Sequence, residues 1–245
     1  MKKLSIEGLS KSFENAPVLQ DVTFSVNEAE FVSILGPSGS GKSTLFHLIG
    51  GLYQPDSGSI YLDSKNVTGK RGKISYMPQS PSLFPWRTIL ENVLVGGEIV
   101  GQENEQEASE MIAAAGLEGY AQAYPHQLSG GMKQRASFIR SLLSPQSLIC
   151  LDEPFSALDE FTRLEMQKWL LSIWEEHKRS ILFVTHNIEE ALFLSDRIIV
   201  LSNRPAKVKR TFHVPFDRPR KENITLTNEF LEWKKEIYNE LRDML

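Results

Sequence analysis

The chain has almost no cysteine: Cys150 is the single one among 245 residues. A lone cysteine excludes an intrachain disulfide. Within the apolar run Leu148-Ile149-Cys150-Leu151 it reads as a small buried hydrophobe in a reducing compartment. Long hydrophobic runs are missing too. Nowhere do about 18 apolar residues run together, so no membrane-crossing helix is expected. Behind Lys2 and Lys3 stands no apolar segment of the secretory kind. Neither charge dominates, with 27 Lys and Arg against 31 Asp and Glu, a net −4; no pull towards nucleic acid follows. Aromatics are few, at 9%. With 41% hydrophobic and 24% charged residues, the composition is that of an ordinary cytosolic globular protein with ample core. No repeat or low-complexity tract interrupts it. One local imbalance runs from Arg204 to Lys221, where Arg204, Lys207, Lys209, Arg210, Arg218, Arg220 and Lys221 face only Asp217. That strip reads as a solvated basic segment.

What is present begins with Gly36-Pro37-Ser38-Gly39-Ser40-Gly41-Lys42-Ser43-Thr44, a phosphate-binding loop of the form G-x-x-x-x-G-K-S. It follows Phe31–Leu35, a continuous apolar run of the kind a buried parallel strand shows. After it, Leu45, Leu48, Ile49 and Leu52 recur at helical spacing. Strand, glycine loop and helix together make a physical site. Glycines let the backbone approach phosphates, and a helix start favours anions. Lys42 would reach the β- and γ-phosphates, and the Ser43 hydroxyl would complete a Mg²⁺ shell. The chain is therefore expected to bind a nucleoside triphosphate.

Around this loop the elements alternate. Leu4–Leu9 and Val18–Val26 read as antiparallel strands, residues 57–63 and 74–77 as two more. From about Thr88 the pattern becomes helical, with Ala108, Met111, Ile112 and Ala115 on one face and Gly116 as a C-terminal cap. Ser129 is a good N-cap for a helix carrying Met132, Ala136, Ile139 and Leu143, stopped by Pro145. Strands at Leu148–Leu151, Ile181–Val184 and Ile198–Leu201 then alternate with helices through Met166–Ile173 and Ile188–Ser195. The last stretch, from about Asn228, reads as an amphipathic helix docked on its own domain, with a regulatory or dimer contact as the alternative. Asp152 and Glu153 end an apolar strand, where an α/β sheet places its ligand crevice. There one carboxylate can hold Mg²⁺ and the other polarise an attacking water.

The string Leu128-Ser129-Gly130-Gly131-Met132-Lys133-Gln134-Arg135 narrows the reading. With the phosphate loop before it and Asp152-Glu153 after it, the chain resembles the ATP-binding subunits of ABC transporters over nearly its whole length. The resemblance implies an α/β, P-loop NTPase (RecA-like) core with an antiparallel β subdomain and an inserted α-helical subdomain. As one ATPase domain over 1–245, it would divide into core and β subdomain (1–87 and 147–215), helical signature subdomain (88–146) and C-terminal tail (216–245). It also implies residue roles. Phe13 would stack on adenine, though a core-strand role is the alternative. Residues 36–44 would bind the phosphates. Gln79 would sense Mg²⁺ and the attacking water, Asp152 would be the Walker B metal ligand and Glu153 the general base. Ser156-Ala157-Leu158-Asp159 resembles the D-loop, and His186 the switch histidine at the γ-phosphate. Ser129, Gly130 and Gly131 would bind the γ-phosphate held by a second subunit, so the active form would be a head-to-tail homodimer around two ATPs. Met132 departs from the glutamine common there. His47, His126, His177 and His213 read as structural or exposed, and Trp169 and Trp174 as packing.

The segment Ser82-Leu83-Phe84-Pro85-Trp86-Arg87-Thr88-Ile89-Leu90-Glu91-Asn92-Val93, with Arg204-Pro205, resembles the ATPases of nitrate, sulfonate, taurine and pyrimidine-type thiamine-precursor importers. The resemblance implies permease subunits gripped through Gln79–Val93, an extracytoplasmic solute-binding protein in the same system, and a peripheral location on the cytoplasmic face of the membrane. Trp86 would anchor the permease, unless Phe84 and Trp86 cover the lobe's own core. An ABC exporter, a lipid-extraction complex and a soluble ABC ATPase remain the alternatives to import.

Overall fold

The computed structural model describes residues 1–242. Strands β1 (Lys2–Phe13) and β2 (Ala16–Asn27) open the chain as a long antiparallel hairpin. They join β4 (Ser57–Leu62) and β5 (Lys65–Asn66) in a four-stranded antiparallel sheet of order β2-β1-β4-β5. Between β2 and β4 lie β3 (Phe31–Leu35) and α1 (Lys42–Ile49). Next come β6 (Ser75–Met77) and three helices: α2 (Ile89–Glu98), α3 (Glu105–Ala114) and α4 (Gly130–Leu142). The chain then alternates β7 (Leu148–Asp152), α5 (Glu160–His177), β8 (Ser180–Val184), α6 (Ile188–Leu194) and β9 (Arg197–Leu201). It finishes with β10 (Val208–His213) and α7 (Asn228–Arg242).

The second sheet has the order β10-β9-β3-β8-β7-β6, parallel except for the antiparallel edge strand β10. All five residues of β3, of β7 and of β8 are buried. These strands are covered on both faces, which is why their sequences run apolar without alternation. Parallel strands bring their C-terminal ends to one edge. Registers Ile34↔Val184 and Asp152↔Val184 place the ends of β3, β7 and β8 side by side. The loops that follow them therefore share that edge: residues 36–41, Glu153 and His186.

The antiparallel sheet is stitched to this core beside the phosphate loop. Ala206 donates to the Val18 carbonyl at 2.8 Å and accepts from the Gln20 N–H at 3.0 Å. Helices α2 to α4 pack on the other side, where Ile89, Val93, Ile112, Ala136 and Ile139 join the core of β7, β8 and α5. Thr88 closes a capping box with Glu91 at the start of α2, and Asp159 caps α5.

Two expectations are corrected and a third holds. The spacing extended α1 to Leu52, but the helix ends at Ile49 before Gly50-Gly51, and Leu52 is exposed. The Gly51 backbone is left-handed (φ +71°), and a Cβ there would meet the Lys70 backbone at 2.6 Å. The basic strip is solvated only in part: Arg204, Lys207 and Lys221 are exposed, but the rest is tied into the domain. Residues 208–213 form β10, whose Lys209 and Arg210 pair with Glu240 and Glu236 on α7. Arg218 pairs with Asp196 at 2.7 Å, and Arg220 is buried. Its guanidinium reaches the carbonyls of Leu192, Phe193, Ser195 and Phe216 at 2.7–3.1 Å. Helix α7 does dock on its own domain. Phe230 and Ile237 are fully buried among Leu35, Leu192, Phe212 and Phe216, a burial that contributes about 1.5–3 kcal/mol for each side chain.

Candidate nucleotide and catalytic site

The phosphate loop is built to hold an anion. Gly41 precedes α1 with φ +107° and supplies no side-chain cap, so the first N–H groups of the helix face the loop unpaired by any cap. A Cβ at Gly41 would meet Val18 Cγ1 at 2.8 Å, so β2 excludes any larger residue there. Ser40 is buried and its hydroxyl has no hydrogen-bond partner. A buried hydroxyl left unpaired is costly, and an entering phosphate oxygen relieves it. Lys42 is also buried, and its ammonium donates to the carbonyls of Gly36 and Pro37 at 2.8 and 2.9 Å. Burial lowers its pKa, against the opposing pull of Glu153 and Asp152.

Three loops meet at Glu153. Its Oε2 accepts from Gln79 Nε2 at 3.1 Å and lies 3.3 Å from His186 Nδ1. Sequence spacing separates these residues widely, and the parallel sheet edge brings them together. Glu153 itself is left-handed, φ 48°, a conformation that costs about 1–2 kcal/mol for a residue with a Cβ. The turn is held by its N–H on the Val184 carbonyl at 2.9 Å and by the Ser156 hydroxyl on its own carbonyl at 2.9 Å. This strain at the carboxylate is absent from any pattern in the sequence. Also unforeseen is Gln134, fully buried on α4, whose amide approaches the Gln79 and Glu153 carbonyls at 3.4 and 3.5 Å.

Asp152 is buried beside this cluster. Desolvation raises its pKa, partly offset by a hydrogen bond from Ser43. Its Oδ1 has no partner. A buried carboxylate oxygen without a donor next to a serine hydroxyl suits a hard cation that takes few protein ligands and keeps its waters. The donors present, the Asp152 carboxylate and the Ser43 hydroxyl, fit a Mg²⁺ held with the help of phosphates.

The remaining residues lie around this centre. Phe13 is 39% exposed at the hairpin end of β1, edge-on to Tyr53 at 5.4 Å with Lys11 over its ring. It is not a core residue. Ser129, Gly130 and Gly131 begin α4, and the Ser129 hydroxyl accepts from the Met132 N–H within its own helix. No hydrogen bond or ion pair described in the chain brings this tripeptide to residues 36–44. Phe84 and Trp86 lie with ring centroids 5.4 Å apart, tilted by 44°, and are exposed, Trp86 by 71%, so they do not cover the lobe's own core. Trp169 and Trp174 pack as expected.

The ABC transporter family matches residues 19–156, a stretch running from β2 through the phosphate loop and the Ser129–Gly131 helix start to Glu153 and Ser156. The chain belongs to the ABC transporter family. This ABC ATPase is 43% identical to the formylaminopyrimidine import ATP-binding protein ThiZ of Halalkalibacterium halodurans, over 99% of this chain and 96% of that one. It is 37% identical to the aliphatic sulfonates import ATP-binding protein SsuB of Bacillus cereus, over 96% and 94%. Its fold matches the dimeric structure of a bacterial ABC transporter cassette, with a TM-score of 0.78, 30% identity and coverage of 87% of this chain and all of that one. A cassette dimer bound to ADP and Pi matches with a TM-score of 0.76 and 31% identity over the same shares. Among the described residues no helix is long and apolar enough to cross a membrane.

Proposed function

We propose that this ABC ATPase powers import of a small solute through separate permease subunits. The observation that carries the catalytic part is the Glu153 carboxylate, gripped between Gln79 and His186 beside an uncapped phosphate loop. In this reading Phe13 stacks on adenine, residues 36–44 wrap the phosphates, and the Lys42 ammonium leaves the Gly36 and Pro37 carbonyls for the β- and γ-phosphates. Bound Mg²⁺, held through Ser43, Asp152 and Gln79, supplies charge neutralisation on the phosphates. Glu153 accepts a proton from the attacking water, Gln79 orients that water, and His186 contacts the γ-phosphate. The exposed helix start at Ser129, Gly130 and Gly131 offers its N–H groups to the ATP of a second copy, which completes the site only in a head-to-tail homodimer. ATP closes the pair and hydrolysis opens it.

Import is favoured by the relatives, whose names mark them as import ATP-binding proteins. The exposed Phe84 and Trp86, within Gln79–Val93, are the proposed grip on the permease at the cytoplasmic face of the membrane. Residues 88–146 would act as the helical lobe that moves with it. An extracytoplasmic solute-binding protein belongs to the same proposal.

The test is Glu153→Gln. This variant should bind ATP as the parent does and form a long-lived dimer by size-exclusion chromatography while turnover falls to near background. Parental turnover would remove Glu153 from the role of base. The tagged variant is then captured from detergent-solubilised membranes of its own host. A multi-spanning permease with an extracytoplasmic binding protein is the expected yield, and a permease without one would overturn import.

A further inference from the structure

Besides the contact of its side chain with Glu153, His186 is held from behind. That side chain is 67% exposed, whereas Thr185 before it is buried. The Thr185 hydroxyl lies 2.5 Å from Glu190 Oε2 and accepts the Asn187 N–H at 3.0 Å. The residues on both sides of His186 are thus tied to one hydroxyl, and that hydroxyl to one carboxylate. Glu190 sits on α6 and is itself buried. Its second oxygen is 3.9 Å from Arg163 Nε. Arg163, on α5, donates through Nη2 to the Leu158 carbonyl at 2.8 Å, in the loop that joins Glu153 to α5. Glu153, Ser156, Arg163, Thr185, His186 and Glu190 line one small cavity of about 50 Å³.

A carboxylate is a poor choice at position 190 for stability alone. Burial raises its pKa, and only the Thr185 hydrogen bond, Arg163 and His186 offset that. The start of α6 is already capped by Asn187, whose side chain accepts from the N–H groups of Glu189 and Glu190. An apolar residue would fill a buried helical position at lower cost. The shortest contact of this carboxylate is with the Thr185 hydroxyl.

We propose that Glu190 is a positioning residue that sets His186 through Thr185, and that the Glu190–Arg163 pair ties this segment to the loop 156–159. A Cβ at Gly131 would lie 3.4 Å from Leu158 and 3.5 Å from the Ala157 carbonyl, so that loop adjoins the helix start proposed to meet the second copy, and the pair makes the placement of His186 responsive to dimer closure. The inference rests on the role assigned to His186.

The experiment is a double-mutant cycle on the full chain, reading kcat and KM for ATP. Glu190→Leu, which cannot accept from the Thr185 hydroxyl, should lower kcat about ten- to hundredfold, as a small misplacement of a reacting group does, with KM within about twofold. His186→Ala should also lower kcat, and adding Glu190→Leu to it should cost nothing more. Thr185→Ser should keep parental turnover, and Thr185→Val, which keeps the shape without the hydroxyl, should behave as Glu190→Leu. If Glu190→Leu fails to fold, the Thr185 pair carries the same comparison. Parental kcat in Glu190→Leu or Thr185→Val, or losses that multiply in the double variant, would overturn the proposal while leaving His186 in place. Parental kcat in His186→Ala would remove the role of His186 itself, and the proposal with it.

Discussion

Replacing Lys42 with alanine tests the phosphate loop directly. The ammonium is buried and makes two hydrogen bonds, to the Gly36 and Pro37 carbonyls. On ATP binding it exchanges two neutral acceptors for anionic oxygens. Truncating one partner of a buried, hydrogen-bonded charge pair costs about 2–5 kcal/mol. The bonds to the two carbonyls are already charge-assisted and offset part of the gain on ATP binding, so the loss falls at the lower end, about 2–3 kcal/mol. A loss of that size weakens Kd by roughly 30- to 160-fold. Two effects on stability oppose each other: the buried Gly36 carbonyl loses its donor, and the desolvation of a buried ammonium is relieved. A fluorescent ATP analogue titrated by anisotropy reads Kd, with a thermal melt beside it. A Kd within about threefold of the parent, at parental melting temperature, would show that the ammonium does not meet the phosphates and would refute the exchange argument.

Two further outcomes are expected. Arg220→Met leaves the carbonyls of Leu192, Phe193, Ser195 and Phe216 without their shared donor; a loss of about 2–4 kcal/mol follows, read as a Tm lower by roughly 5–12 °C with ATP affinity unchanged. A Tm within about 2 °C would show that water replaces the guanidinium there without cost. Trp86→Ala removes the most exposed tryptophan of the 84–87 segment, so ATPase activity of the isolated chain should stay parental. Permease recovered in pull-downs should drop at least about tenfold, as for an interface anchor; undiminished recovery would move the grip elsewhere.

Much of the fold was legible because its central strands are doubly covered. Phe31–Leu35, Leu148–Leu151 and Ile181–Val184 run apolar, and the residues just past their ends are the ones that meet at the site. The phosphate loop and the Ser129 cap are local patterns, so spacing reveals them. What stayed hidden depends on backbone partners. Arg218 and Arg220 look like solvated charges until their carbonyl acceptors on α6 are seen. Strand β10 escaped notice because its exposed positions carry Lys209 and Arg210, whose charge hides the alternation around Phe212 and whose partners arrive from α7. Leu52 continues the helical spacing, yet the left-handed Gly51 ends α1 first. Neither the left-handed Glu153 nor the Thr185–Glu190 contact leaves any mark in composition or periodicity.

Cys150 lies at the centre of β7, fully enclosed, and burial beside Asp152 pushes its thiol far above the ordinary range. To a maleimide or a methanethiosulfonate reagent the native chain is therefore silent, with no need to delete a cysteine first. A single cysteine written in at Phe161, 83% exposed at the start of α5, would take up one spin label or dye per protomer. Paired across two copies, those labels turn the proposed opening and closing into a distance that pulsed spectroscopy reads in real units, on a chain otherwise unaltered.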